Sequence, residues 1–187
     1  MDGVDAALPV LAAPRLVLSP VTRGDGAAVL SWWNDAEVRR GHGLGMEPLG
    51  PAAFQYWLGD FDRADTWVAR MRAGGEPVGL LEMKAVRGAD GALRYELGIA
   101  VDARHRRTGV GLEMVGAACA WALRTMGARA VVAQTRADNR AARRLFERAG
   151  FTRTGEGEGA SGRAGRTVRY ERSSPGPGPP ACSPGPP

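Results

Sequence analysis

Residues 93–123 read LRYELGIAVDARHRRTGVGLEMVGAACAWAL. An alternating apolar run over 93–101 predicts a strand ending at Val101. A basic loop follows at 102–108. Gly109 and Gly111 then open a long helix over 111–126, closed by Gly127 as its C-cap. Glycines at that junction let a ligand approach the backbone and leave the first helical N–H groups unshielded. Those N–H groups, the helix dipole and the charges of Arg104, Arg106 and Arg107 make an anion site that suits a diphosphate. The three-glycine spacing of a dinucleotide fingerprint is absent, and no Gly-Lys-Ser/Thr follows, so neither a Rossmann nor a Walker loop is indicated.

On the C-terminal side, 130–135 predicts a buried strand. It is followed by 139–151, NRAARRLFERAGF, a helix over 139–149 with Asn139 as N-cap and Gly150 behind it. Two strands at 151–154 and 166–171 complete the pattern. On the N-terminal side, a strand over 15–21 ends at Pro20, and a helix over 25–34 gathers Ala28, Val29, Trp32 and Trp33 near one face. A glycine-rich loop begins at His42. A helix over 51–61 carries Phe54, Trp57 and Leu58 at helical spacing, and strands are predicted at 66–71 and 77–86. The fold class is α+β with mixed strand order. Residues 1–13 are expected to form a flexible leader and 14–172 one domain. Residues 173–187, SSPGPGPPACSPGPP, lack core formers and are expected to be a disordered tail.

Composition sets limits on function. The chain has 187 residues, of which 44% are hydrophobic and 24% charged, enough for one packed core. Two cysteines exclude a disulfide scaffold, and two histidines exclude a His-rich metal centre. No metal is expected. No apolar run approaches the roughly 20 residues of a membrane span. The N-terminus is acidic before its short apolar stretch, unlike an export signal, which predicts a cytoplasmic protein. The net charge of +5 is unevenly spread: residues 1–100 are net −3 and residues 101–172 net +8. An arginine-rich genome explains part of that total but not the asymmetry, which points to an anionic partner. A nucleic-acid binder is the alternative from a different class, and salt-dependent binding would reveal it.

The motifs resemble those of the GNAT-type N-acetyltransferases. Arg106, Gly109 and Gly111 match the family's R/Q-x-x-G-x-G/A segment after a strand. Asn139, Ala142, Phe146, Glu147, Gly150 and Phe151 match its N-x-x-A-x-x-x-Y/F-E-x-x-G-F segment. The segment from Trp33 to Val38 (WNDAEV) resembles that of the RimJ/RimL-like branch. The resemblance covers about residues 14–172. It implies a mixed, mostly antiparallel central sheet, splayed at the cofactor site and flanked by about four helices. It also implies acetyl-CoA as co-substrate. The pyrophosphate would lie on Arg106, Arg107, Thr108, Gly109, Val110, Gly111 and Leu112, and the pantetheine arm along Ile99, Ala100 and Val101. A backbone N–H near Gly98–Ile99 would hold the developing oxyanion, and Asn139 and Phe146 would line the cofactor.

Within that resemblance an amine must lose a proton before it attacks the thioester. Glu96, on the motif strand, is the first candidate base, Glu82 the second and His42 the third. Two departures stand out. Phe146 occupies the place of a tyrosine that serves many relatives as general acid, and Gln134 stands where RimI-type relatives carry a glutamate. Tyr170 is the candidate substitute acid. Trp33, Asp35, Glu37, His42 and Trp57 are the candidate acceptor-binding residues, because carboxylates there suit a cationic amine. The expected reaction is acetyl transfer to a primary amine of a small cationic molecule, such as an amino sugar, aminoglycoside or polyamine. A protein N-terminus, or acyl-CoA sensing without turnover, are the alternatives. Neither nucleic acid nor membrane is expected as a partner, and a homodimer is compatible with the family.

Overall fold

The computed structural model describes residues 8–42, 47–52, 65–158 and 165–173. The elements run β1 (Leu11–Ala12), β2 (Leu16–Pro20), α1 (Gly26–Asn34), α2 (Ala36–His42), β3 (Asp65–Met71), β4 (Pro77–Arg87) and β5 (Leu93–Val101). They continue with α3 (Val110–Ala120), β6 (Ala130–Arg136), α4 (Arg140–Arg148), β7 (Thr152–Glu158) and β8 (Arg166–Ser173). The strands form one eight-stranded sheet in the order β1-β2-β3-β4-β5-β6-β8-β7. Every neighbouring pair is antiparallel except β5 and β6, whose parallel pairing requires the crossover through α3.

Helices cover both faces of this sheet, so the central strands carry apolar residues in continuous runs. Val68 and Leu80 pack with Val29, Trp32, Trp33, Val38 and Ala100 under α1 and α2. Their neighbours Trp67 and Leu81 face the other way, into a larger core with Leu16, Leu18, Leu97, Met114 and Phe146. One-residue alternation thus feeds two cores from the same strands.

Several local expectations change. The leader over 1–13 is structured in part: Leu11–Ala12 pair with β2, Leu11 is buried, and the Trp67 indole donates 2.7 Å to the Pro9 carbonyl. The expected single helix over 111–126 is α3 followed by one wide π turn at Trp121–Thr125. The widened turn sets Trp121 edge-on against Trp67 and Tyr95, with ring centres 5.0 and 5.1 Å apart. Helix α2 is a further element that the sequence reading did not mark. Its Asp35 side chain accepts from the Glu37 and Val38 amides, so the chain restarts as a helix after a one-residue break. The predicted helix over 51–61 and the tail expected over 173–187 lie almost wholly outside the described residues, and Ser173, placed in that tail, instead ends β8. No helix among the described residues is long and apolar enough to cross a membrane.

Candidate active site

The parallel pair at the sheet centre opens part-way along. Strands β5 and β6 are in register from Arg94↔Ala130 to Leu97↔Ala133 and no further. Beyond Leu97, β5 stays with β4 as far as Gly79↔Val101, while β6 stays with β8 as far as Arg136↔Thr167. Two strand edges therefore diverge from residue 98 onward. The last turn of α2 stands at the opening. The His42 Nε2 atom lies 3.3 Å from the Ile99 carbonyl oxygen. Gly41 faces Asn139 so closely that a Cβ at Gly41 would stand 2.9 Å from the Asn139 Nδ2. On the same edge, the Arg106 Nε donates 3.1 Å to the Val101 carbonyl. Backbone groups alternate along a strand, so Ile99 and Val101 direct both N–H and C=O into the gap, and Gly98 and Ala100 direct theirs toward β4.

The loop that follows is held in an uncommon shape. Asp102 accepts from the Arg104 amide and side chain and from the Trp32 indole at 3.0 Å. The Arg104 contact, aided by Trp32, holds the Asp102 carboxyl well below its ordinary range. Arg107 has φ 64° and Gly109 φ 90°. A non-glycine residue with positive φ is strained, and such strain gathers at functional loops. Gly109 begins α3: the Leu112 and Glu113 amides return to its carbonyl at 3.1 and 3.2 Å. The amides just ahead of Leu112 are directed out of the helix end, where dipole and unshielded donors favour an anion. Arg15 is a residue at this loop that sequence reasoning missed. Its Nη2 donates 2.9 Å to the Thr108 carbonyl, and its Nε and backbone N–H both reach Glu113. Nothing near Arg15 in the chain signals a contact that spans almost a hundred residues.

Next to the opening, Thr66, Glu82 and Gly98 lie in one cross-strand row. The Glu82 carboxylate lies over Gly98: a Cβ at position 98 would meet Glu82 Oε2 at 3.1 Å. Glycine at 98 therefore makes room for a carboxylate at the point where β5 leaves β6. Burial pushes the Glu82 carboxyl up to about 7. Glu96 lies one row away, opposite Lys84 and beside Val132, where β5 and β6 are still paired, and it is exposed.

The remaining expected residues separate by role. Arg106 does not stand free beside the loop. Its Nη2 donates 2.6 Å to Asp35, and its Nη1 pairs with Glu37. Burial works against ionisation of Asp35, but the Arg106 contact and the Val38 and Glu37 amides outweigh it and hold its carboxyl below the ordinary value. Three residues expected to serve cofactor and acceptor thus form one ion cluster. Arg107 and Thr108 are exposed on the loop, Val110 is buried, and Gly111 and Leu112 are partly covered. Ala100 is buried under α1 and α2. Asn139 caps α4 through a 3.1 Å bond from the Ala142 amide. Phe146 is buried, its ring 5.6 Å from that of Phe151 and 5.7 Å from that of Tyr170. Tyr170 is 0% exposed and its hydroxyl donates 3.0 Å to Glu147, which directs it into the core of α4 and β8. Trp33 is buried with its ring 4.8 Å from that of His42. Trp57 lies outside the described residues.

Known proteins share this architecture. The chain is 27% identical, over 79% of its length and 85% of the other's, to the uncharacterized N-acetyltransferase YoaA of Bacillus subtilis (strain 168). Its fold is similar to an acetyltransferase (GNAT family) from Bacillus anthracis, with TM-score 0.77, 16% identity and coverage of 88% and 98% of the two chains. It is also similar, with TM-score 0.74 and 16% identity, to the spermidine N-acetyltransferase from Vibrio cholerae solved with CoA and spermine, covering 86% and 96%. An equal TM-score of 0.74 at 16% identity, covering 89% and 98%, relates it to RimL, a ribosomal L7/L12 alpha-N-protein acetyltransferase solved with coenzyme A. Residues 15–152 match the Acetyltransferase (GNAT) domain, and the chain belongs to that family of N-acetyltransferases.

Proposed function

We propose that the protein transfers the acetyl group of acetyl-CoA to a primary amine of a small cationic molecule, with Glu82 as general base. The observation that carries this reading is the Glu82 carboxylate lying over Gly98 where β5 and β6 part. The cofactor fits the residues present. The open amides at the start of α3 suit its pyrophosphate, and the gap-facing N–H groups of Ile99 and Val101 suit the carbonyls of the amide-bearing arm. Acetyl-CoA supplies an acetyl group activated as a thioester. Glu82 takes the proton that the incoming ammonium must lose, and a carboxyl near 7 is matched to that task at neutral pH. The Ile99 N–H, directed into the gap, donates to the carbonyl oxygen as negative charge develops there. The strand edge and the α3 terminus hold the two reactants together. The thiolate would leave without a proton from Phe146, which has none to donate, and would take up the second proton that the attacking nitrogen releases on becoming an amide.

A small acceptor is favoured over a protein N-terminus by the last turn of α2. That turn bridges from Ile99 through His42 to Asn139 through Gly41 and so narrows the opening. The test is CoA release from acetyl-CoA, read with a thiol reagent, across polyamines, amino sugars, aminoglycosides, amino acids and ribosomal N-terminal peptides. Turnover is expected with one small-amine class, and turnover confined to peptides overturns the acceptor assignment. Glu82→Gln should lower kcat by about 10²-fold or more and remove the rise of activity through pH 7. A loss below about threefold removes Glu82 from the base role.

A further inference from the structure

Arg106 holds the start of α2 to the end of β5. One guanidinium reaches three groups: the Val101 carbonyl at the end of β5, and the Asp35 and Glu37 carboxylates at the start of α2. With one cation facing two carboxylates the cluster carries net negative charge, which opposes a phosphate in the same place. Asp35 is at once the partner of Arg106 and the cap of α2. Helix α2 has seven residues, too few to persist without tertiary anchors. Its anchor at one end is Arg106, and at the other the contacts of His42 with Ile99 and of Gly41 with Asn139.

We propose that Arg106 is a positioning residue for the acceptor side of the site, fixing α2 and with it His42 at the opening beside Glu82, and that it is not a phosphate ligand. The planar fork of arginine suits this bridging, because it addresses two carboxylates and a carbonyl in fixed geometry. A lysine would keep the charge and lose the bridge. The kinetic consequences rest on the acetyl-CoA reading given above. The structural consequence, the hold on α2, does not.

The experiment compares the full chain with Arg106→Gln, with Arg106→Lys, with the Asp35→Asn/Glu37→Gln double variant, and with Arg106→Gln added to that double variant. Acetyl-CoA affinity is read by titration calorimetry, amine kcat and KM by CoA release, and α2 by amide hydrogen exchange. Arg106→Gln is expected to leave the acetyl-CoA Kd within about threefold while kcat/KM for the amine falls about tenfold or more. Exchange over 36–42 should speed up, because a local anchor is lost. The double variant should reproduce that pattern, and adding Arg106→Gln to it should change little further, since the residues act as one unit. An acetyl-CoA Kd raised about tenfold, with exchange over 36–42 as in the parent, overturns the proposal in favour of a phosphate ligand. If Arg106→Gln does not fold, Arg106→Lys decides: loss of amine kcat/KM at constant acetyl-CoA Kd supports the bridge, and unchanged amine constants overturn it. If the parent chain binds no acetyl-CoA, the functional reading fails, and the exchange comparison still decides whether Arg106 holds α2.

Discussion

Glu82 places a carboxylate where burial disfavours its charge, and that has a stability signature. Its folded pKa, raised to about 7, lies above the ordinary 4.5, so between those values the folded chain binds more protons than the unfolded one. Stability contributed by this group is therefore present below pH 4.5 and is lost as pH rises toward 7. Glu82→Gln removes the titration. In thermal melts from pH 4 to 8.5, the stability of Glu82→Gln relative to the parent should rise between pH 4.5 and 7 and then level off, by up to about 3 kcal/mol. A constant difference across that range shows that Glu82 titrates normally. Glu82 and Gly98 were both legible as residues of interest in adjacent strands. Which carboxylate stands at the opening was not, because Glu82 and Glu96 share a face and differ only in their row relative to the last β5–β6 pair.

At the scale of elements, the turn into α3 holds two glycines, and only Gly109 is required by its backbone conformation. Gly109 sits at φ 90°, and a Cβ there would stand 3.1 Å from the Arg15 Nη2. Gly111 has room, since a Cβ would meet Val101 and Leu145 at an ordinary 3.5 Å. Gly109→Ala should cost about 1–2 kcal/mol and raise the acetyl-CoA KM, whereas Gly111→Ala should leave the melting temperature nearly unchanged. Differential scanning calorimetry with paired KM measurements checks both, and equal melting temperatures would show that position 109 tolerates a side chain. The β5–loop–α3 unit was readable because its alternation, basic loop and glycines are consecutive. Helix α2 was not, because seven residues with three charges carry no apolar period, and contacts far away in the chain hold it in place.

For the whole molecule, the uneven charge has a second reading beside an anionic ligand. Arg106 of the basic half pairs with Asp35 and Glu37 of the acidic half, Arg104 with Glu76, and Arg129 with Asp90. Part of the asymmetry is therefore consumed inside the fold. What stays outward includes Arg140 and Arg144 of α4, which with Arg143 and Glu147 line a shallow groove of about 190 Å³. Tyr170 ties that helix to the sheet through Glu147 and Arg143, at 3.0 and 3.3 Å. Tyr170→Phe should cost about 1 kcal/mol, a fall of roughly 2–4 °C in Tm, with kcat retained. A hundredfold loss of kcat at unchanged Tm would instead make Tyr170 the acid. By itself, the chain's sequence determined the seven strands β2 to β8, helices α1, α3 and α4, and the glycine-bearing turn at the start of α3. It also determined the family, because these depend on residues close together in the chain and on local spacing. Tertiary structure alone decided that Arg106 serves α2, that Tyr170 and Phe146 are core, that Arg15 secures the loop, and that Glu82 stands at the opening. Each of those assignments depends on which distant segment packs alongside, and local periodicity carries no record of that.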